Sequence, residues 1–66
     1  MTIPPQVFVL VGGGSCGSGD CPSVYTTDTG TIAVQGYTLS KATPDGESIV
    51  EVPEDVLREA ARALGW

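Results

Sequence analysis

The sequence has no histidine, three basic residues and two cysteines in 66 positions. Without histidine it lacks the commonest general base and the commonest metal ligand. The basic residues are Lys41, Arg58 and Arg62, against eight acidic ones, for a net charge of −5. Three cations cannot track a phosphate backbone, and the overall field repels nucleic acid, so direct DNA or RNA binding is not expected. A negative surface suits a basic protein partner. No apolar run approaches the ~20 residues of a membrane helix. No basic stretch precedes an apolar segment at the start, so no secretory leader is expected and a cytoplasmic protein is.

The length allows one domain, residues 1–66. A chain this short buries only about 60% of its unfolded surface. The core is therefore thin, and a homodimer interface or a covalent staple would help it. An apolar fraction of 41% argues against disorder.

The most informative stretch runs from Cys21 to Leu39. Ser23–Thr27 and Thr31–Leu39 are rich in β-branched and aromatic residues, which suit strands. Asp28, Thr29 and Gly30 between them read as a hairpin loop. Gly36 interrupts the second strand, marking a bulge or the close approach of another backbone. Val7–Val11 is apolar without alternation and reads as a strand covered on both faces. Residues 12–20 read as a flexible glycine-rich loop. Pro-Asp-Gly at 44–46 is a turn, and Ser48–Val52 reads as a further strand. Pro53 opens a helix as its first residue. Glu54 and Asp55 favour its N-terminal end, Glu54 is spaced to pair with Arg58, and Gly65 ends it. Val56, Leu57, Ala60, Ala61 and Leu64 form its apolar stripe. Trp66 is expected to fold back onto the sheet, with an exposed anchor for a partner as the alternative. The resulting class is α+β: a small antiparallel sheet of three to four strands with one C-terminal helix packed on a face.

Three short motifs carry chemical connotations. Gly12-Gly13-Gly14-Ser15-Cys16-Gly17 fits the G-x-G-x-x-G string, but a strand rather than a helix is expected after it, and no lysine accompanies it. Asp28-Thr29-Gly30-Thr31 matches the D-T-G-T string of aspartic proteases, without the apolar run that precedes it there, and turn chemistry accounts for the aspartate. Cys16 and Cys21 admit a disulfide, a pair of reduced thiols, or half of a four-cysteine zinc site completed by a second chain. No catalytic set emerges, so an enzyme is not expected, and zinc at the two cysteines is the sole cofactor considered. Tyr25, Tyr37 and Trp66 are the candidate interaction residues, with cross-strand packing as the competing role for the tyrosines.

The pattern Cys-Pro-Ser-Val-Tyr-x-Thr-Asp-x-Gly-Thr-x-x-Val-Gln-Gly from Cys21 to Gly36 resembles a group of small actinobacterial proteins without an established activity. Ile49-Val50-Glu51-Val52-Pro53 with Val56-Leu57 resembles their C-terminal end. Relatives are commonly encoded beside helix-turn-helix regulators, which implies a regulatory setting. There is a fainter likeness to swapped-hairpin transcription factors, whose basic DNA-binding faces this chain lacks. Charge, the missing catalytic set and the resemblance together suggest an acidic interaction module, an accessory to a basic DNA-binding regulator. The alternative is a small metal-binding or redox-linked protein using Cys16 and Cys21.

Overall fold

The computed structural model describes residues 4–14 and 21–66. Strands β1 (Phe8–Gly13), β2 (Ser23–Thr27) and β3 (Ile32–Gln35) form an antiparallel sheet in that order. Strands β4 (Tyr37–Thr38) and β5 (Val50–Glu51) pair as a separate two-stranded ribbon. Helix α1 (Glu54–Ala63) packs on the first sheet against β1 and β2. The α+β class with one C-terminal helix on a sheet face is therefore the observed one.

The hairpin forms where turn chemistry places it. Thr27 N–H donates to Thr31 C=O at 3.0 Å, and Gly30 N–H donates to Thr27 C=O at 3.3 Å. This is a three-residue loop of Asp28, Thr29 and Gly30. The hydroxyls of Thr27 and Thr31 lie 2.7 Å apart across its mouth, and those of Thr27 and Thr29 3.0 Å. Asp28 also ties down the lead-in to β1. Its Oδ1 accepts from Gln6 N–H at 3.0 Å, and its own N–H donates to Val7 C=O at 3.2 Å.

Strand β1 has a feature its apolar run did not reveal. Leu10 pairs with Tyr25 and Gly12 pairs with Val24, so Val11 is an extra residue in a β-bulge. In a regular strand, residues 10 and 12 share a face. Here the bulge turns Gly12 to the face that carries Val24 and leaves Leu10 with Tyr25 on the other. A Cβ at Gly12 would stand 2.7 Å from Val56 C=O and 3.0 Å from the Ala60 Cβ, so the helix backbone rests directly on the strand. The core gathers there. Val24 and Ala60 are the buried apolar side chains among the described residues.

Several expectations change. Gly12 and Gly13 belong to β1 and lie beneath the helix rather than in a flexible loop. Gly14 follows the strand, its N–H donating to Pro22 C=O at 3.2 Å, and residues 15–20 of that expected loop lie outside the described residues. Val7–Leu10 is not covered on both faces: its side chains are about half exposed, because the bulge delivers only the glycine end of β1 to the helix. The last strand shortens to Val50–Glu51, extended by a Leu39 N–H bond to Ile49 C=O at 2.8 Å. Gly36 holds no bulge in the first sheet but separates β3 from β4. A Cβ there would lie 2.1 Å from Glu51 C=O, so close backbone approach is the property that glycine provides.

Pro53 stands at the N-cap with φ −59° and ψ 145°, one residue before the helix rather than as its first. Glu54 and Arg58 pair on the exposed face, worth about 0.2–0.5 kcal/mol. At the other end Gly65, at φ 77°, donates to Arg62 C=O, and Trp66 N–H donates to Ala61 C=O. These two bonds make a Schellman motif, with glycine supplying the left-handed residue. The motif orients the last residue outward: Trp66 is 79% exposed and does not fold back onto the sheet.

Candidate interaction surface

The face of the β1-β2-β3 sheet away from the helix is built from Phe8, Leu10, Tyr25 and Ala33. Pairing places Leu10, Tyr25 and Ala33 in one row across the three strands. Phe8 lies diagonally from Tyr25, with ring centroids 5.9 Å apart and planes at 90°. Such edge-to-face pairs contribute about 0.5–1.5 kcal/mol beyond area burial. A shallow depression of about 380 Å³ opens beside them, lined by Phe8, Tyr25, Ala33, Val34 and Gln35. None of these residues is charged. Phe8 is 51% exposed and Leu10 48%.

The apolar exposure continues elsewhere. Ile32, Val34, Tyr37, Leu39 and Leu57 are all exposed. The chain as a whole exposes 5077 Å² for a mass of 6.8 kDa.

The expected interaction residues sit at three different places in the fold. Tyr25 sits in β2 on the open face, packed on Phe8. Tyr37 sits in β4 and lines two adjoining depressions, one of about 460 Å³ with Pro22, Gln35 and Gly36, the other of about 330 Å³ with Pro22, Glu51, Val52 and Pro53. Trp66 stands at the helix end. Tyr25 and Tyr37 are therefore not a cross-strand pair; Phe8 is the aromatic partner of Tyr25. Sequence reasoning missed Phe8 and Leu10 because a continuous apolar run looks buried on both sides. Position-by-position pairing, which exposes the bulge, is the signal that recovers them.

Cys21 is disulfide-bonded; Cys16 lies outside the described residues. A sulfur in a disulfide is not a thiolate, and thiolate is the form that ligates metal. Among the described residues, no group of three or more His, Cys, Asp or Glu is placed to hold a metal ion. Around Cys21 the backbone is tied down: its carbonyl accepts from the Ser23 hydroxyl at 2.9 Å and from Gln35 Nε2 at 3.0 Å. The disulfide is expected to stabilise the domain by about 2–3 kcal/mol. Cys21→Ser and the reduced wild type are both expected to shift to lower denaturant midpoints by the same amount. Urea titrations with and without reductant check this, and coincident oxidised and reduced wild-type curves would rule it out.

Of the catalytic-looking strings, Asp28 lies in the hairpin turn with Gln6 N–H as its partner. Gly12 and Gly13 are strand residues, and Gly13 N–H donates to the Glu59 carboxylate at 3.3 Å. Among the described residues no helix is long and apolar enough to cross a membrane. Comparison of the chain with family models, with curated proteins and with solved structures returned no match.

Proposed function

We propose that this protein is an acidic protein–protein interaction module, and that the open sheet face is where it meets its partner. The observation that carries this reading is an uncharged apolar face, Phe8, Leu10, Tyr25 and Ala33, on a domain whose buried apolar side chains among the described residues are Val24 and Ala60. Uncovered apolar surface of this kind marks interaction sites. The chain that carries it has eight acidic residues against three basic ones, for a net charge of −5. A partner with an apolar patch bordered by Arg and Lys has the matching chemistry. A basic DNA-binding regulator, the setting implied by the sequence resemblance, is the partner class we favour.

For location, the bonded Cys21 weighs against the expectation of a cytoplasmic protein, because disulfides persist mainly in oxidising compartments. Thiol labelling in intact cells separates the two. The alternative, a metal- or redox-linked protein using Cys16 and Cys21, is supported by that same bonded cysteine in its redox form.

The test is native mass spectrometry of the tagged protein isolated gently from its host, alongside Phe8→Ser. A second polypeptide bound to wild type and lost from the folded variant is the expected result. A partner retained equally by both would remove the open face from the interaction, and a chain recovered without any other polypeptide would remove the reading itself.

A further inference from the structure

The outer edge of β3 is a second surface, which meets the open face at Ala33. Its residues are Ile32, Ala33, Val34 and Gln35. Native edge strands are ordinarily blunted by charge, proline, a bulge or cover. β3 carries no charge and no proline, its register with β2 is regular, and no strand pairs with its outer side among the described residues. Ile32 and Val34 are 43% and 44% exposed.

The direction of the free backbone groups follows from the hairpin. Thr27 N–H donates to Thr31 C=O, so Thr27 and Thr31 are a hydrogen-bonded pair. Antiparallel pairs alternate. Tyr25–Ala33 and Ser23–Gln35 are then hydrogen-bonded, whereas Thr26–Ile32 and Val24–Val34 are not. The N–H and C=O groups of Ile32 and Val34 therefore point away from β2, toward the open edge.

We infer that β3 pairs with β3 of a second copy of this chain, antiparallel about a two-fold axis through Ala33. In that register Ile32 faces the partner's Val34, and Val34 faces the partner's Ile32. All four outward groups on each chain are used, giving four inter-chain hydrogen bonds. Ile32 and Val34 lie on the helix side of the sheet with Val24, so the contact also sets β-branched side chains opposite each other, a favourable cross-strand combination. Ala33 meets its copy at the closely spaced, non-hydrogen-bonded position, where a small side chain fits. The alternative register, centred on Val34, would set Ile32 against Gly36, where Glu51 C=O already lies in contact. A second copy is the fitting occupant because the strand is self-complementary at this register and contributes no charge, so two chains of like charge meet where neither bears any. The product is a continuous six-stranded sheet.

Sedimentation of the full chain across micromolar to millimolar concentration, at low and moderate salt, tests this. The expected result is a reversible dimer, favoured by salt because screening weakens the repulsion between the two net charges. Val34→Pro removes an outward N–H at a position where an edge strand tolerates proline, and is expected to raise the dissociation constant roughly tenfold or more, with an unchanged circular dichroism spectrum. Ala33→Cys, oxidised at dimer-forming concentration, is expected to give a covalent dimer whose bridge maps to the two introduced thiols. If Val34→Pro does not fold, that bridge decides. A wild type that stays monomeric throughout, an unchanged dimer in folded Val34→Pro, or a bridge absent from Ala33→Cys overturns the inference. The two proposals fail separately. Phe8→Ser should release the partner and keep the dimer.

Discussion

Gly13→Ala is expected to lower stability by about 2–5 kcal/mol, a large share of what a domain of this length has. Two independent effects add. Gly13 sits at φ 71°, and an L-residue in the left-handed region loses roughly 1–2 kcal/mol. The new methyl would also stand 2.2 Å from Pro22 C=O and 3.0 Å from the Val56 side chain. Backbone cannot yield as a flexible side chain can, and overpacking of this kind costs about 1–3 kcal/mol. A domain of this length has roughly 3–10 kcal/mol in total. Urea titration followed by circular dichroism checks the effect. Gly46→Ala is the internal control. Gly46 has φ 84° but open space around the added methyl, so it should lose only the conformational part. Equal losses at the two positions would show that the contact with Pro22 is unimportant.

Val24→Asp is expected to abolish folding, with a loss above about 4 kcal/mol. Val24 is 1% exposed, the largest fully buried side chain among the described residues. It stands between Gly12 and Val34 in the sheet, on the face covered by the helix. A carboxylate there would lose its hydration with no cation in reach, and such burial is the costliest class of substitution. Val24→Ala should be milder, about 2–3 kcal/mol, from the lost apolar atoms and the cavity they leave. Thermal unfolding of the pair gives the ordering. Had the core been spread over many residues, Val24→Ala would shift the midpoint little; with so few buried side chains its effect should be large.

The legible parts of the fold were those set locally. The hairpin follows from Asp28, Thr29 and Gly30, because a glycine after a short polar pair dictates the loop. The helix follows from its acidic first turn, its apolar spacing and Gly65. What escaped was set by distant contacts. The bulge at Val11 depends on how β1 meets β2 and the helix, and nothing within Val7–Val11 encodes it. The exposure of Phe8 and Leu10 follows from that bulge and was equally hidden. Trp66 was misplaced because its apolar character suggested burial, whereas the bonds closing the helix end point the residue outward. Of the candidate site, Tyr25 was legible from strand composition, and its partner was not.

The surplus residue in β1 also separates two kinds of selective pressure within one short strand. In its first half, Phe8 and Leu10 face away from the helix and answer to whatever covers them. Its second half, Gly12 and Gly13, answers to the helix backbone. Substitutions can accumulate in the first half, changing what the domain recognises, without disturbing how it folds. The second half has almost no room to vary. In this small domain, recognition and foldability are divided along six consecutive residues rather than between separate elements.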